Sequence, residues 1–230
     1  MELSERLAVL ARRAADEVEP GTLVGLGSGS TAEALLEELG RRVATGLHFS
    51  GVATSERIAT RAGALGIALL SIDEVDDLDL CLDGADEIDP ALDLVKGRGG
   101  ALLWEKLVAV RARRFVVIAA AEKLVPRLGV RLPLPVEVVP FGWRRTARAL
   151  DAFGCPSTLR RAGDAPFVTD GGHYILDCST GPIVDAPALA ARIKAVVGVV
   201  EHGLFVGMAD RALIVDNDGH VATHDRPRGE

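Results

Sequence analysis

Two glycine-rich turns and one aspartate-rich segment carry the residues best suited to chemistry. Gly25-Leu26-Gly27-Ser28-Gly29-Ser30-Thr31 follows a short apolar run and opens a helical stretch. Backbone amides in such a turn, with a helix N-terminus behind them, form an anion site, and Ser28, Ser30 and Thr31 add hydroxyl donors. Phosphate is the natural guest. The plainer alternative is a tight turn whose glycines serve only the backbone. The G-x-G-x-G spacing, and a second strand ending Val52-Ala53-Thr54-Ser55 with no acid to hold a ribose, argue against a dinucleotide site. No Gly-Lys-Ser/Thr is present, so a P-loop is also excluded.

Asp83-Gly84-Ala85-Asp86 follows Leu78 to Leu82, at the carboxyl end of an expected strand, where open α/β sheets bind ligands. Two acids there can manage protons on a sugar, or else cap a turn, since Asp-Gly is a common turn pair. Asp83, Asp86, Glu87 and Asp89 also crowd together as metal ligands would. Their spacing is not that of an EF-hand and no histidine joins them, so a metal is not expected there. Lys96 precedes a second turn, Gly97-Arg98-Gly99-Gly100, and places a cation where it can steady a developing oxyanion. A solvated lysine before a flexible loop is the alternative. Glu105 falls about one turn into the next helix and can take a proton from a carbon beside a carbonyl, although most helix glutamates are solvated. Lys123, after Ala119-Ala120-Ala121-Glu122, can touch phosphate or hydroxyl, or lie on the surface. Cys81, Cys155 and Cys178 form no C-x-x-C pair and read as reduced, buried thiols. The five histidines are scattered and none is given a role.

The elements that must position these residues alternate. Leu3, Leu7, Leu10, Ala14 and Val18 keep helical spacing up to Pro20-Gly21. Strands are expected at Thr22 to Leu26, near Leu47 to Ala53, Ile67 to Leu70, Leu78 to Leu82 and Phe115 to Ala119. Helices fall between them, near Leu35 to Val43, Glu56 to Ala64 and Ala101 to Arg111. That is a parallel, doubly wound α/β pattern. From Arg131 to Pro140 the texture changes. Strand, helix (Trp143 to Phe153), strand (Ser157 to Arg160), strand (Tyr174 to Cys178) and helix (Pro187 to Val197) describe a small α+β unit, with Asp170-Gly171-Gly172 turning a hairpin. Val199 to Val206 reads as one strand, and Ala212 to Val215 with a last short strand is expected to return to the first sheet. The expected division is residues 1–131 plus 206–230, with 132–205 inserted, and Asp225 to Glu230 is expected to be disordered.

Composition limits the partners. Of 230 residues, 48% are hydrophobic and 26% charged, in the range of globular proteins. Lysine and arginine total 26 against 33 acids, a formal charge of −7, which argues against general binding to nucleic acid or anionic membranes. Aromatic residues at 4% argue against base stacking. The longest apolar runs, such as Phe115 to Ala121, fall far short of the ~18 residues of a membrane span. Met1 to Val9 lacks the apolar block of a signal peptide, so a cytoplasmic location is expected.

Taken in order, Gly25-x-Gly27-Ser28-Gly29-Ser30-Thr31, Asp83-Gly84-Ala85-Asp86-Glu87-Ile88, and Lys96-Gly97-x-Gly99-Gly100-Ala101 with Glu105-Lys106 resemble the type A ribose-5-phosphate isomerases. Leu134-Pro135-Val136-Glu137-Val138 and the stretch from Val168-Thr169-Asp170 to Leu176-Asp177 resemble them too. The resemblance implies a Rossmann-like domain with a ferredoxin-like one and assembly as a homodimer or homotetramer. It implies interconversion of ribose 5-phosphate and ribulose 5-phosphate through an enediol, without metal or organic cofactor. By the same likeness Glu105 moves the proton between carbons 1 and 2. Asp83, Asp86 and Lys96 help open the sugar ring and steady charge on its oxygens. Ser28, Gly29, Ser30, Thr31, Gly84, Ala85, Gly97, Arg98, Gly99 and Lys123 hold substrate. Leu7 falls where many relatives carry a phosphate-reaching lysine, with Arg6 beside it, and Trp104 where an arginine often precedes the glutamate.

Rival readings are a sugar-phosphate deaminase or lactonase, a coenzyme A transferase with a glutamate nucleophile, and a sugar-phosphate sensor domain. The joint spacing of Asp83, Asp86, Lys96 and Glu105 argues against the enzymes, and the absence of a basic helix-turn-helix against the sensor.

Overall fold

The computed structural model describes residues 1–227. In chain order the elements are α1 (Leu3–Ala15), β1 (Leu23–Leu26), α2 (Ser30–Ala44), β2 (Ser50–Ala53), α3 (Glu56–Ala64), β3 (Ala68–Leu69) and β4 (Leu80–Asp83). Two short strands follow, β5 (Glu87–Ile88) and β6 (Leu94–Val95), then α4 (Leu102–Ala109) and β7 (Phe115–Ala120). Next come β8 (Leu134–Val138), α5 (Trp143–Asp151), β9 (Ser157–Leu159), β10 (Arg161–Ala162), β11 (Ala165–Pro166) and β12 (Tyr174–Cys178). The chain continues through α6 (Ala186–Lys194), β13 (Val199–His202), β14 (Leu204–Phe205), β15 (Arg211–Val215) and β16 (Val221–Asp225). Two compact units result. The first takes residues 1–85, 104–123 and the described chain from 208 onward; the second takes 86–103 and 124–207. Residues 86–103 thus fall in the second unit, well before the division near residue 132 that the sequence suggests.

The first unit is built on one seven-stranded sheet in the order β16-β15-β7-β4-β1-β2-β3. All neighbouring pairs are parallel except β15 with β16. Its central strands are apolar throughout because both faces are covered: every residue of β7, Phe115 to Ala120, is buried. The α1 helix turns Leu7, Leu10, Ala11 and Ala14 inward at helical spacing, against a core that includes Leu35, Leu36 and Leu39 of α2. From β1 the chain runs outward through β2 and β3, then returns to the other side of β1 as β4. The strand order therefore reverses between β1 and β4, the switch point at which doubly wound sheets open a ligand crevice.

The second unit carries a four-stranded antiparallel sheet, β13-β8-β12-β9, threaded strand-helix-strand-strand-helix-strand with α5 and α6, the ferredoxin-like arrangement. Asp185 caps α6 by accepting the Ala188 amide at 2.9 Å. The single strand expected over Val199 to Val206 divides at Gly203, and β14 instead joins β6 and β5 in a three-stranded sheet. Gly203 donates to Pro135 O and accepts from Lys96 N, both at 2.8 Å, so its backbone serves two neighbours at the point of division. Disorder expected from Asp225 fails at that residue, which ends β16 in register with Arg211, and Arg226 N donates to Asp210 O at 2.8 Å. The rest of that expectation, at residues 228–230, lies outside the described residues.

Candidate active site

In the first unit, the turn after β1 lies at the switch point. Ser28 N–H donates to Asp83 Oδ1 at 3.0 Å, so the end of β4 is tied to the turn leaving β1. Gly84 N–H donates to the same oxygen at 2.7 Å. Asp83 itself is fully buried. A Cβ on Gly27 would stand 2.1 Å from Asp83 Oδ1, which is why glycine is required where these strands end together. Ser28 Oγ bonds the hydroxyls of Thr54 at 2.8 Å and Ser55 at 2.9 Å, at the end of β2. Ser28 is therefore largely a brace, and Thr54 and Ser55 are neighbours of this turn that the sequence reading passed over. Gly29, in the left-handed region at φ 95°, caps α2 without a side-chain bond, and the first backbone bond of the helix runs from Glu33 N to Gly29 O. The amides of Ser30, Thr31 and Ala32 are thus the orphan donors of a helix start, and Gly29 and Ser30 are exposed. Gly84 comes within 3.9 to 4.0 Å of Ser28 O and Thr31 Cβ when given a Cβ, so the two segments are in contact; Ala85 follows, half-buried.

Glu105 does not lie on the solvated face of its helix. It is 5% exposed and shares the inward face of α4 with Leu102, Val108 and Ala109. Val108 Cγ1 would meet a Cβ on Gly25 at 2.5 Å, so α4 rides close over β1 and carries Glu105 one turn back along the same face. Lys123 ends a short 3-10 turn after β7 and is half-buried. Its neighbour Glu122 receives Arg6 Nη2 at 2.5 Å, while Arg6 Nη1 reaches Asn217 Oδ1 at 2.9 Å. The Arg6 hydrogen bond holds the Glu122 carboxyl below the usual range. Leu7 is packed in the core.

In the second unit, Asp86 and the lysine–glycine turn are neighbours. Asp86 Oδ2 accepts the Arg98 amide at 2.9 Å. Lys96 is 2% exposed, with its ammonium 5.5 Å from the centre of the Phe205 ring. Gly97 takes φ 102° over Leu102, whose Cβ a Gly97 side chain would meet at 2.8 Å, and Gly100 N donates to Gly97 O at 3.0 Å to close the turn. Glu87 and Asp89 are used structurally. The fully buried Glu87 accepts the amides of Gly129 at 2.5 Å, Arg131 at 2.8 Å and Leu132 at 3.1 Å. Asp89 accepts those of Ala91 and Asp93, both at 2.9 Å. Among the described residues, the one cluster with ligand atoms close enough for a cation is Asp216, Asp218 and His220, in an exposed hairpin turn. Burial pushes up the Cys155 and Cys178 thiols, which disfavours a nucleophilic thiolate at either.

A parallel sheet with an anion turn and a buried acid at its switch point, a glutamate turned inward on α4, and a lysine–glycine turn are the equipment of an enzyme that moves protons on a phosphorylated sugar. Comparison with known proteins defines the family. Residues 50–219 match the model for ribose 5-phosphate isomerase A, also called phosphoriboisomerase A. A ribose-5-phosphate isomerase A of Roseiflexus sp. strain RS-1 is 55% identical over 217 residues, covering 93% of each chain. The solved ribose 5-phosphate isomerase A of Methanocaldococcus jannaschii superposes with a TM-score of 0.92 at 36% identity, over 97% of this chain and all of the other. A D-ribose-5-phosphate isomerase solved in complex with phospho-erythronic acid gives 0.95 at 34% identity, over 98% of this chain and all of the other. The chain is an aldose–ketose isomerase. It belongs to the ribose 5-phosphate isomerase A family. The deaminase, lactonase, transferase and sensor readings give way to that match.

Proposed function

We propose that Glu105 is the base of this isomerase in the interconversion of ribose 5-phosphate and ribulose 5-phosphate. The observation that carries the reading is the burial of Glu105 on the inward face of α4, where a merely solvated glutamate would not sit. With the aldose open, the carboxylate takes the proton on carbon 2. The C–H electrons form the carbon 1–carbon 2 double bond, and the carbonyl π electrons move onto oxygen 1. Lys96 and the amides of its turn steady that charge. The proton on oxygen 2 passes to oxygen 1, and the protonated Glu105 returns its proton to carbon 1, so carbon 2 becomes the carbonyl. Substrate and product are isomers, and no electron acceptor is required. Asp83 and Asp86 assist ring opening. Ser28 to Thr31, Gly84, Ala85, Gly97 to Gly99 and Lys123 hold the sugar phosphate, with the unpaired α2 amides among its anion donors.

The reading includes a cytoplasmic location and assembly as a homodimer or homotetramer. Three buried free cysteines support the first, the resemblance to the family supports the second, and no described helix is long and apolar enough to cross a membrane. Sedimentation at micromolar concentration tests the assembly. The deciding experiment incubates the protein with ribose 5-phosphate and a chelator and follows ketose formation in the parent and in Glu105→Gln. Loss of the base should cost roughly 100-fold or more in kcat. Unchanged turnover in the variant would remove Glu105 from the mechanism.

A further inference from the structure

Arg160, at the end of β9, holds two carbonyls of the lysine–glycine turn. Its Nη1 donates to Gly97 O at 2.8 Å and to Arg98 O at 2.9 Å. Its other edge forks onto Asp177 of β12, through Nε to Oδ2 at 3.0 Å and Nη2 to Oδ1. The guanidinium lies 5.9 Å from the centre of the Phe167 ring. That ring in turn fills the space a side chain would need at Gly100, where a Cβ would stand 2.4 Å from Cε1.

The consequence follows from peptide geometry. In a planar trans peptide the N–H points opposite to the C=O of the preceding residue. With the Gly97 and Arg98 carbonyls both drawn to one guanidinium, the Arg98 and Gly99 amides must both face away from it. The Arg98 amide confirms the direction by donating to Asp86 Oδ2 at 2.9 Å. The Gly99 amide leaves on the same side. Gly99 is exposed, its φ is not positive, and a Cβ there would meet nothing within 4 Å, so the protein's own packing does not require glycine at this position. A glycine with no internal reason fits a backbone that something else approaches closely.

We propose that Arg160, clamped by Asp177, is a positioning residue that turns the Gly99 amide toward the reacting oxygens of the sugar, beside Asp86. The cation behind the two carbonyls also polarises both peptides, which strengthens their amides as donors to developing negative charge. The inference rests on the reading of the Lys96–Gly100 turn as substrate-contacting.

The test is steady-state kinetics with thermal melts on Arg160→Gln, Arg160→Lys and Asp177→Asn, with Glu105→Gln alongside. Rates are expressed per folded molecule, with the folded fraction taken from circular dichroism at the assay temperature. A misaimed oxyanion donor should lower kcat about tenfold to 100-fold in Arg160→Gln while KM moves less than about threefold. Arg160→Lys, which keeps the charge but loses the fork, should fall between Gln and the parent, as should Asp177→Asn. A lower melting temperature with kcat per folded molecule unchanged would make Arg160 a structural brace and overturn the proposal. If Arg160→Gln does not fold, the kcat of Arg160→Lys and Asp177→Asn decides by the same criterion. If Glu105→Gln keeps its turnover, the reading of the site fails instead; if it is inactive and the Arg160 and Asp177 variants keep kcat, only the positioning role fails.

Discussion

In the turn after β1, the backbone is held by the ends of the strands beside it: Asp83 closes β4 and takes the Ser28 amide, and Thr54 and Ser55, just past β2, share hydrogen bonds with its hydroxyl. In the turn before α4, the backbone is held from behind by two side chains from the segment between β9 and β12, Arg160 on two carbonyls and Phe167 against Gly100. The first turn inherits its shape from parallel strand order, whereas the second is held by the side chains of Arg160, Phe167 and Asp86. Substitutions that disturb the first should therefore unfold the protein. Those that disturb the second should spare the fold and reduce the chemistry.

Gly27→Ala tests the first half of that contrast and should have the largest effect on stability. Its Cβ would meet Asp83 at 2.1 Å from Oδ1 and 2.5 Å from Cα, and the backbone of a central strand cannot retreat cheaply. A loss of about 3 kcal/mol or more in urea unfolding is expected. A variant as stable as the parent would show the β1 turn to be as adjustable as the other.

Gly99→Ala tests the second half. The added methyl meets no protein atom within 4 Å, so the melting temperature should stay within about 2 °C of the parent. Meanwhile kcat/KM should fall about tenfold, the cost of holding a substrate at the wrong distance. Full activity with full stability would mean that nothing approaches this backbone closely.

The contrast also separates what was legible in the sequence from what was not. Strand, glycine turn and helix form a local pattern, and the apolar runs around it announce a buried parallel sheet, so the place of the first turn and of Asp83 at strand ends could be read directly. Glu105 was legible as a candidate only. Its burial is implicit in the spacing of Leu102, Glu105 and Val108, but a glutamate at an inward position looks the same in sequence as one on a solvated turn. Arg160 left no trace, because its partners in the turn are two carbonyl oxygens and every residue has one. Glu87 was hidden for the same reason: it read as part of an acidic crowd, yet three main-chain amides between Gly129 and Leu132 occupy it. The division of Val199 to Val206 at Gly203 was likewise not legible, because it is set by the partners of the Gly203 backbone, Pro135 O and Lys96 N. Backbone partners chosen by tertiary structure carry no signature in residue type.

The smallest expected effect concerns the ties that fasten the helices to the first sheet. Glu17 receives Arg13 at 2.9 Å and Arg114, just before β7, at 2.7 Å. Burial pushes its carboxyl up, but the Arg114 and Arg13 hydrogen bonds outweigh it and hold the group below its ordinary value of 4.5. Glu38 is held low in the same way: burial again pushes up, and Arg41 and Arg42 prevail. A carboxyl lowered in the folded state stabilises the fold fully above its unfolded pKa, and that contribution disappears as the pH falls through the folded value. Between pH 6 and pH 3.5, amide exchange in α1 should therefore accelerate relative to β8 and β12, beginning below about pH 4.5. Both glutamates sit where water screens part of the interaction, so the change from Glu17 should be about 1 kcal/mol or less. Glu17→Gln should flatten the α1 response without touching that of β8. If the variant keeps the parent's acid slope, the first unit does not depend on this tie, and the strand ends alone account for the fixity of its turn.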